Sequence, residues 1–408
     1  MLIIRSSVRM IEHSPRLEQT GEGSAVMATV MDYLDWRGDL SFSKDPFNHV
    51  DNLILSELAY IDFDGIVPDC DSEQWVSIED ACDEYWRRHT EKEVQNDKTF
   101  FHLAPMLLKK IRTSPRFAGM QLSGYTNVVS AQEDEQMSAV TFRLKNGLNY
   151  VAYRGTDDTI TGWKEDFNLT FMEESRGQRL AADYLSRRVV SADEVLFTGG
   201  HSKGGNFAVY ASAFCDERVR RRISRVYTND GPGFLESVIL KEEYQQILPK
   251  VISIIPEESV IGLLLDCGYP FTVVKSNRKG LWQHDAMSWE VLGNHFVEVP
   301  STKKSSVLME KTVERWISGI TMEERKQFFD TLFEIIESSG KDTVSSFHTA
   351  SFKTMLDMMS SFQSLNNRDK TRMRDILQQL FRAGAEVLKQ DIAEGRRLKP
   401  QNEKQDNM

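Results

Sequence analysis

Apolar and polar positions change period along this chain, and each change marks an element. Over residues 45–60, Val50, Leu53, Ile54 and Leu58 recur at helical spacing, with Asn48 or Asp51 placed to cap the start. An acidic, interrupted stretch follows at 69–97, and then a helix is predicted around 105–112. The runs SAVTFRL (138–144) and LNYVAYR (148–154) flank Lys145, Asn146 and Gly147, and Asn-Gly between two β-rich runs predicts an antiparallel hairpin. Residues 175–189 return to an amphipathic helical pattern, with Leu180, Tyr184 and Leu185 facing inward. EVLFT (194–198) reads as a buried strand, followed by a glycine cluster and a small-residue helix at 206–215. Further strand patterns are RVYT (225–228), VISII (251–255) and FTVVK (271–275). Strands alternating with helices predict an α/β fold with a mostly parallel central sheet, opened by the hairpin.

From about residue 305 the strand pattern stops, and 309–320, 322–338, 352–365 and 369–394 all carry helical periodicity. The chain is therefore expected to divide into a disordered or mistranslated leader (1–26), an α/β domain (27–300), a helical C-terminal region (301–395) and a disordered tail (396–408).

Composition narrows the function classes. With 408 residues, 40% hydrophobic and 27% charged, the chain can bury a core without disulfide or metal staples. A net charge of −11 offers no broad basic face, so nucleic acid is not an expected partner. Cys70, Cys82, Cys215 and Cys267 form no CxxC pair and have no histidine cluster beside them, so buried reduced thiols are expected rather than a metal site. No apolar run approaches the roughly 18 residues of a membrane span, and the first residues lack a signal-peptide pattern, so a cytoplasmic protein is expected.

The chemistry concentrates in VLFTGGHSKGGNFA (195–208), where Gly200-His201-Ser202-Lys203-Gly204 satisfies G-x-S-x-G, the nucleophile elbow. Glycines two residues either side of the serine let a strained turn pass between strand and helix, and that turn lifts the hydroxyl above the sheet. Lys203 is followed by glycine, which excludes a P-loop, and the glycine spacing is not that of a dinucleotide fold. The alternative is a tight turn without chemistry. An elbow serine needs a base, and the histidines downstream are His284, His295 and His348. His284, in a polar loop after the last strand, is the expected base; His295 lies in a possible strand and His348 among the helices. For the orienting acid the candidates are Glu257 and Glu258 after VISII, with Asp230 after RVYT as the rival; Asp285 adjoins His284 too closely. His201 is expected to pack beneath the elbow. The backbone N–H groups of Thr156 or Asp157, together with that of Lys203, are expected to form the oxyanion hole. The run 260–265 either walls an acyl pocket or packs in the core.

Tyr153-Arg154-Gly155-Thr156-Asp157 with Trp163 and Asp166 resembles the R-G-T…W…D segment of class 3 lipases, and Gly200 to Gly205 resembles their G-H-S-x-G-G elbow. More closely, the chain is similar to the Mbeg1-like family, related to those lipases. The matching stretches are MDYLDWRGD (31–39), FNHVDNLILS (47–56), 154–167, the elbow, DGPGF (230–234), PEESVIG (256–262) and QHD (283–285). The resemblance implies an α/β-hydrolase with nucleophile Ser202 and base His284, and it favours Glu258 over Glu257 as the acid. It implies a hydrolase of carboxylic esters, with lipid or acylglycerol esters the expected substrates and no metal or cofactor. The alternatives are a catalytically silent binding module, a thioesterase or a peptidase. Lys203 departs from the lipase pattern, which carries an uncharged residue there, and is expected as a positive group at the mouth of the site.

Overall fold

Eight strands lie side by side in the order of their sequence. They are β1 (Val76–Ser77), β2 (Gln121–Ser130), β3 (Glu135–Arg143), β4 (Leu148–Tyr153), β5 (Val195–His201), β6 (Ile223–Asn229), β7 (Val251–Pro256) and β8 (Phe271–Val274). Strands β1 to β4 pair antiparallel and β4 to β8 pair parallel. The computed structural model describes residues 27–96, 103–130, 135–157, 164, 166, 169, 171–188, 195–337 and 359–397. The expected leader, the end of the tail, His348, Trp163 and much of the helix expected at 352–365 lie outside these residues.

Alternation along the strands supplies two apolar faces, and helices cover both. On β4, Tyr150 and Ala152 join one core with Phe197, Tyr227 and the apolar side of α2 (His49–Leu58), behind which lie α1 (Val30–Arg37), α3 (Ile78–Arg88) and α4 (Ala104–Ile111). Val151 and Tyr153 join the opposite core, built with α5 (Arg176–Arg187), α6 (Lys203–Phe214) and α7 (Glu242–Ile247). The α2 helix starts as its sequence requires: the Asn48 side chain accepts from the Val50 and Asp51 N–H groups, and Asp51 returns the bond to the Asn48 N–H. Asp51 is fully buried and paired with Arg116, whose guanidinium also donates to the carbonyls of Leu40, Asp45 and Pro46.

The antiparallel portion is larger than a hairpin. Strand β2, whose sequence QLSGYTNVVS is diluted by Gly, Ser, Thr and Asn, pairs with β3 through an irregularity between Ser123 and Thr126. Strand β5 continues past Thr198 through the glycines, because Tyr150 packs where side chains would stand: a Cβ on Gly199 would lie 1.8 Å from the Tyr150 hydroxyl. Helix α6 accordingly begins at Lys203, directly after the serine. His295 sits with Phe296 in a separate two-stranded sheet and is exposed.

The C-terminal helices α8 (Lys304–Ser318), α9 (Met322–Glu337) and α10 (Asn367–Arg397) enclose their own core of Ile320, Phe328, Phe329, Phe333, Met373 and Ile376. Phe171 enters that core and stacks on Phe329 with ring centroids 6.4 Å apart. The region is also fastened just before α8, where the Lys303 N–H donates to the Glu257 carbonyl at 2.6 Å. Cys82 and Cys215 are buried, Cys70 and Cys267 half-buried, and all are free thiols. Among the described residues no helix is long and apolar enough to cross a membrane.

Candidate active site

The turn after β5 is strained in the manner the glycine spacing predicts. Ser202 adopts φ 57, ψ −133, a backbone conformation that L residues rarely hold. A Cβ on Gly200 would lie 2.3 Å from the Gly204 carbonyl carbon, and one on Gly204 would lie 2.1 Å from the Tyr153 carbonyl oxygen. Only glycine on both sides lets the chain fold this tightly. This strand, turn and helix on a mostly parallel sheet have the geometry of the elbow in the α/β-hydrolase fold.

Beneath the turn a polar network fixes the backbone. The Asn229 side-chain amide donates to the Gly200 carbonyl at 3.0 Å, and Asn52 donates to Asn229 at 2.9 Å. Tyr150 in turn donates to Asn52 at 2.6 Å, and all three side chains are fully buried.

His284 stands at the end of a short 3₁₀ helix, Gly280–His284, in the loop after β8. Its Nε2 lies 2.9 Å from the Ser202 Oγ, and its Nδ1 lies 2.7 Å from the Asp230 Oδ2. A carboxylate oxygen accepts, so Nδ1 carries the proton and Nε2 is left to accept from the serine hydroxyl. Asp230 directly follows β6 and is itself held at φ 50. Its other oxygen accepts from the Ser259 hydroxyl at 2.5 Å and from the Gly262 N–H at 3.1 Å. The carboxylate is completely buried.

Glu258, expected as the acid, does not meet the histidine ring. Its Oε2 accepts from the Gly280 N–H at 2.5 Å and its Oε1 from the Lys303 ammonium, which holds the carboxyl below its usual range. The physical reason is the end of β7: its turn directs Glu257 and Glu258 outward to Lys303, while the buried Ser259 and Gly262 face Asp230. Glu258 steadies the histidine loop from outside, and its own N–H donates to Gln283 at 2.9 Å. Asp285 points away to Arg278 at 3.1 Å. Within the run 260–265, Leu263 packs with Ile255 and Val273, and Gly262 serves the Asp230 carboxylate.

His201 lies under the elbow with its ring 4.8 Å from that of His284. Its Nε2–H donates to the His284 carbonyl at 2.8 Å, which leaves Nδ1 to accept from the Tyr60 hydroxyl at 3.0 Å. Burial and the neighbouring His284 hold its pKa well below the ordinary value. Glu57 approaches the same ring at 3.4 Å, and burial, with Asp285 adding to it, raises the Glu57 pKa well above the usual range. Both shifts favour the uncharged forms of the two groups. Neither Glu57 nor Tyr60 was marked by the sequence, since each lies more than a hundred residues from the elbow on an ordinary amphipathic helix and its following turn.

The loop after β4 closes on the serine. A Cβ on Gly155 would lie 3.1 Å from the Ser202 Cβ, so Thr156 sits against the elbow. The Asp157 N–H is engaged by the Gln136 Oε1 at 3.3 Å. The Thr156 hydroxyl donates to Asp166 at 2.5 Å. Lys203, expected at the mouth, is instead 1% exposed. Its ammonium donates to Gln136 at 3.0 Å and pairs with Asp166 at 3.4 Å. An ammonium in this confined position is held inward by a carboxylate and an amide oxygen rather than by water.

The family model described as Mbeg1-like matches residues 111–334, more than half of the chain. The chain belongs to the Mbeg1-like family. The matched span contains the elbow, Asp230 and His284, and extends into α9 of the C-terminal region. No curated protein matches the chain. Among solved structures, the chain is similar to the M37 lipase at 10% identity and a TM-score of 0.37, over 60% of this chain and 92% of that one. It is similar to the lipase from Rhizopus microsporus var. chinensis at 13% identity and a TM-score of 0.28, over 38% of this chain and 62% of that one.

Proposed function

We propose that this Mbeg1-like chain is a serine hydrolase that cleaves carboxylic esters, with lipid or acylglycerol esters as its substrates. The observation that carries the reading is the continuous relay from Ser202 Oγ to His284 Nε2 at 2.9 Å and from His284 Nδ1 to Asp230 Oδ2 at 2.7 Å. In this reading Ser202 attacks the ester carbonyl while His284 takes its proton. Asp230 holds the ring in the correct tautomer and stabilises the imidazolium. The tetrahedral oxyanion is received by the N–H groups of Thr156 and Lys203, each contributing about 3 kcal/mol to lowering the barrier. Return of the proton to the leaving alkoxide releases the alcohol, and a water activated by the same histidine cleaves the acyl-enzyme. Support for an apolar substrate comes from Leu281 and Trp282, which precede the base and are 66% and 50% exposed.

A fluorophosphonate probe tests the reaction class. Labelling of the wild type that disappears in Ser202→Ala is the expected result. A folded wild type that resists the probe and hydrolyses no ester overturns the reading. Turnover of short-chain esters, long-chain esters and thioesters then sets the substrate, with faster cleavage of long-chain oxygen esters expected.

A further inference from the structure

The two oxyanion donors come from different elements, the loop after β4 and the first turn of α6, and nothing in the covalent chain keeps them aligned. The Lys203 side chain spans that gap. Its ammonium meets Gln136 Oε1 at 3.0 Å, the same oxygen that accepts the Asp157 N–H at 3.3 Å. It also pairs at 3.4 Å with Asp166, whose second oxygen accepts from the Thr156 hydroxyl. Residues 156 and 157 are thus each tied, through one intermediary, to the residue that follows the nucleophile. Gln136 is 1% exposed and fixed in β3, where it lies opposite Val129 of β2, so the anchor itself is rigid.

We infer that the Lys203 side chain is a positioning residue for the oxyanion pocket, a strut by which the elbow sets the place of the Thr156 donor. Leaving an ammonium at 1% exposure is costly unless its partners are fixed. That cost is met by the same contacts that order the loop. A side chain without a donor, such as methionine, can make neither the hydrogen bond to Gln136 nor the ion pair with Asp166. The kinetic consequence rests on the ester hydrolase reading; the structural one does not.

The test uses the full chain carrying Lys203→Met, Lys203→Arg or Gln136→Leu. Two quantities are read: kcat and KM on a p-nitrophenyl ester, and hydrogen exchange of the Thr156 and Asp157 amides. Lys203→Met is expected to lower kcat about 10- to 100-fold with KM within about 2-fold, because the oxyanion contact forms only in the transition state. It is expected to speed exchange of the Asp157 amide, the one hydrogen-bonded to Gln136, about 10-fold or more, and Lys203→Arg should recover most of both effects. Unchanged exchange in Lys203→Met overturns the inference, and so does a kcat within about 2-fold of wild type. If Lys203→Met fails to fold, Gln136→Leu, which keeps the ion pair with Asp166, takes its place with the same two readouts. If the wild type shows no turnover that depends on Ser202, the hydrolase reading fails, and exchange alone decides whether the strut exists.

Discussion

Asp230 and Glu258 both follow parallel strands, and what separates them is which neighbours their backbone lets them reach. The positive φ of Asp230 turns its side chain toward His284, while Glu258 is drawn outward by Lys303 and the Gly280 N–H. Asp230→Asn is expected to lower kcat about 10⁴-fold by favouring the wrong imidazole tautomer. Glu258→Gln, which keeps an oxygen for the Gly280 N–H, should cost less than about 10-fold, because it touches the loop rather than the ring. Steady-state kinetics of the two variants in parallel decides the matter; a larger loss in Glu258→Gln would restore the sequence-based expectation. The contact expected between Glu258 and His284 does not form, and the reason is physical. The meeting of Ser202 with His284 was legible from a local motif and from chain order, whereas which carboxylate reaches the ring depends on backbone geometry, such as the positive φ of Asp230, that residue types do not report. Gln136 and Tyr60 were equally hidden, since their roles exist only through contacts distant in sequence.

Among the elements, those with strong local constraints were legible. The Asn48 cap, the Asn-Gly hairpin and the strand-turn-helix around Ser202 each rest on a short-range stereochemical demand, and each forms as its sequence requires. Strand β2 was missed because its polar residues and Gly124 obscure the period of two, and it is stabilised by pairing with β3 rather than by its own pattern. At the elbow, Gly204→Ala brings a Cβ to 2.1 Å from the Tyr153 carbonyl oxygen. Its expected cost is about 3 kcal/mol of stability, read from the urea midpoint. At α2, Asp51→Asn leaves the buried Arg116 without its counter-charge and is expected to cost about 3 to 5 kcal/mol by the same measurement. A shift below about 1 kcal/mol in either variant would contradict the packing described.

On the scale of the whole molecule, the buried pair His201 and Glu57 beneath the elbow makes stability depend on pH in two directions. His201, with its folded pKa depressed, binds fewer protons than in the unfolded chain below about pH 6.5, so stability falls as pH drops through that range. Glu57, with its folded pKa raised, keeps a proton that the unfolded chain releases above about pH 4.3, so stability falls as pH rises. Each contributes a slope of at most about 1.4 kcal/mol per pH unit, and between the two unfolded values the slopes oppose one another. Above about pH 6.5 the Glu57 contribution is no longer offset by His201. As pH rises above about 4.3, denaturation midpoints should therefore fall relative to those of Glu57→Gln; parallel curves would show that Glu57 is ionised in the fold.

The strand order also governs when the site comes into being. Each strand pairs with its predecessor in sequence, so the sheet can extend in the direction of synthesis without a later strand inserting between earlier ones. Ser202 and Asp230 therefore precede His284 in synthesis, and the hydrogen bond between the serine hydroxyl and the imidazole waits for the loop after β8. A chain arrested on the ribosome before that loop would lack the imidazole that both the Ser202 hydroxyl and the Asp230 carboxylate meet in the full fold.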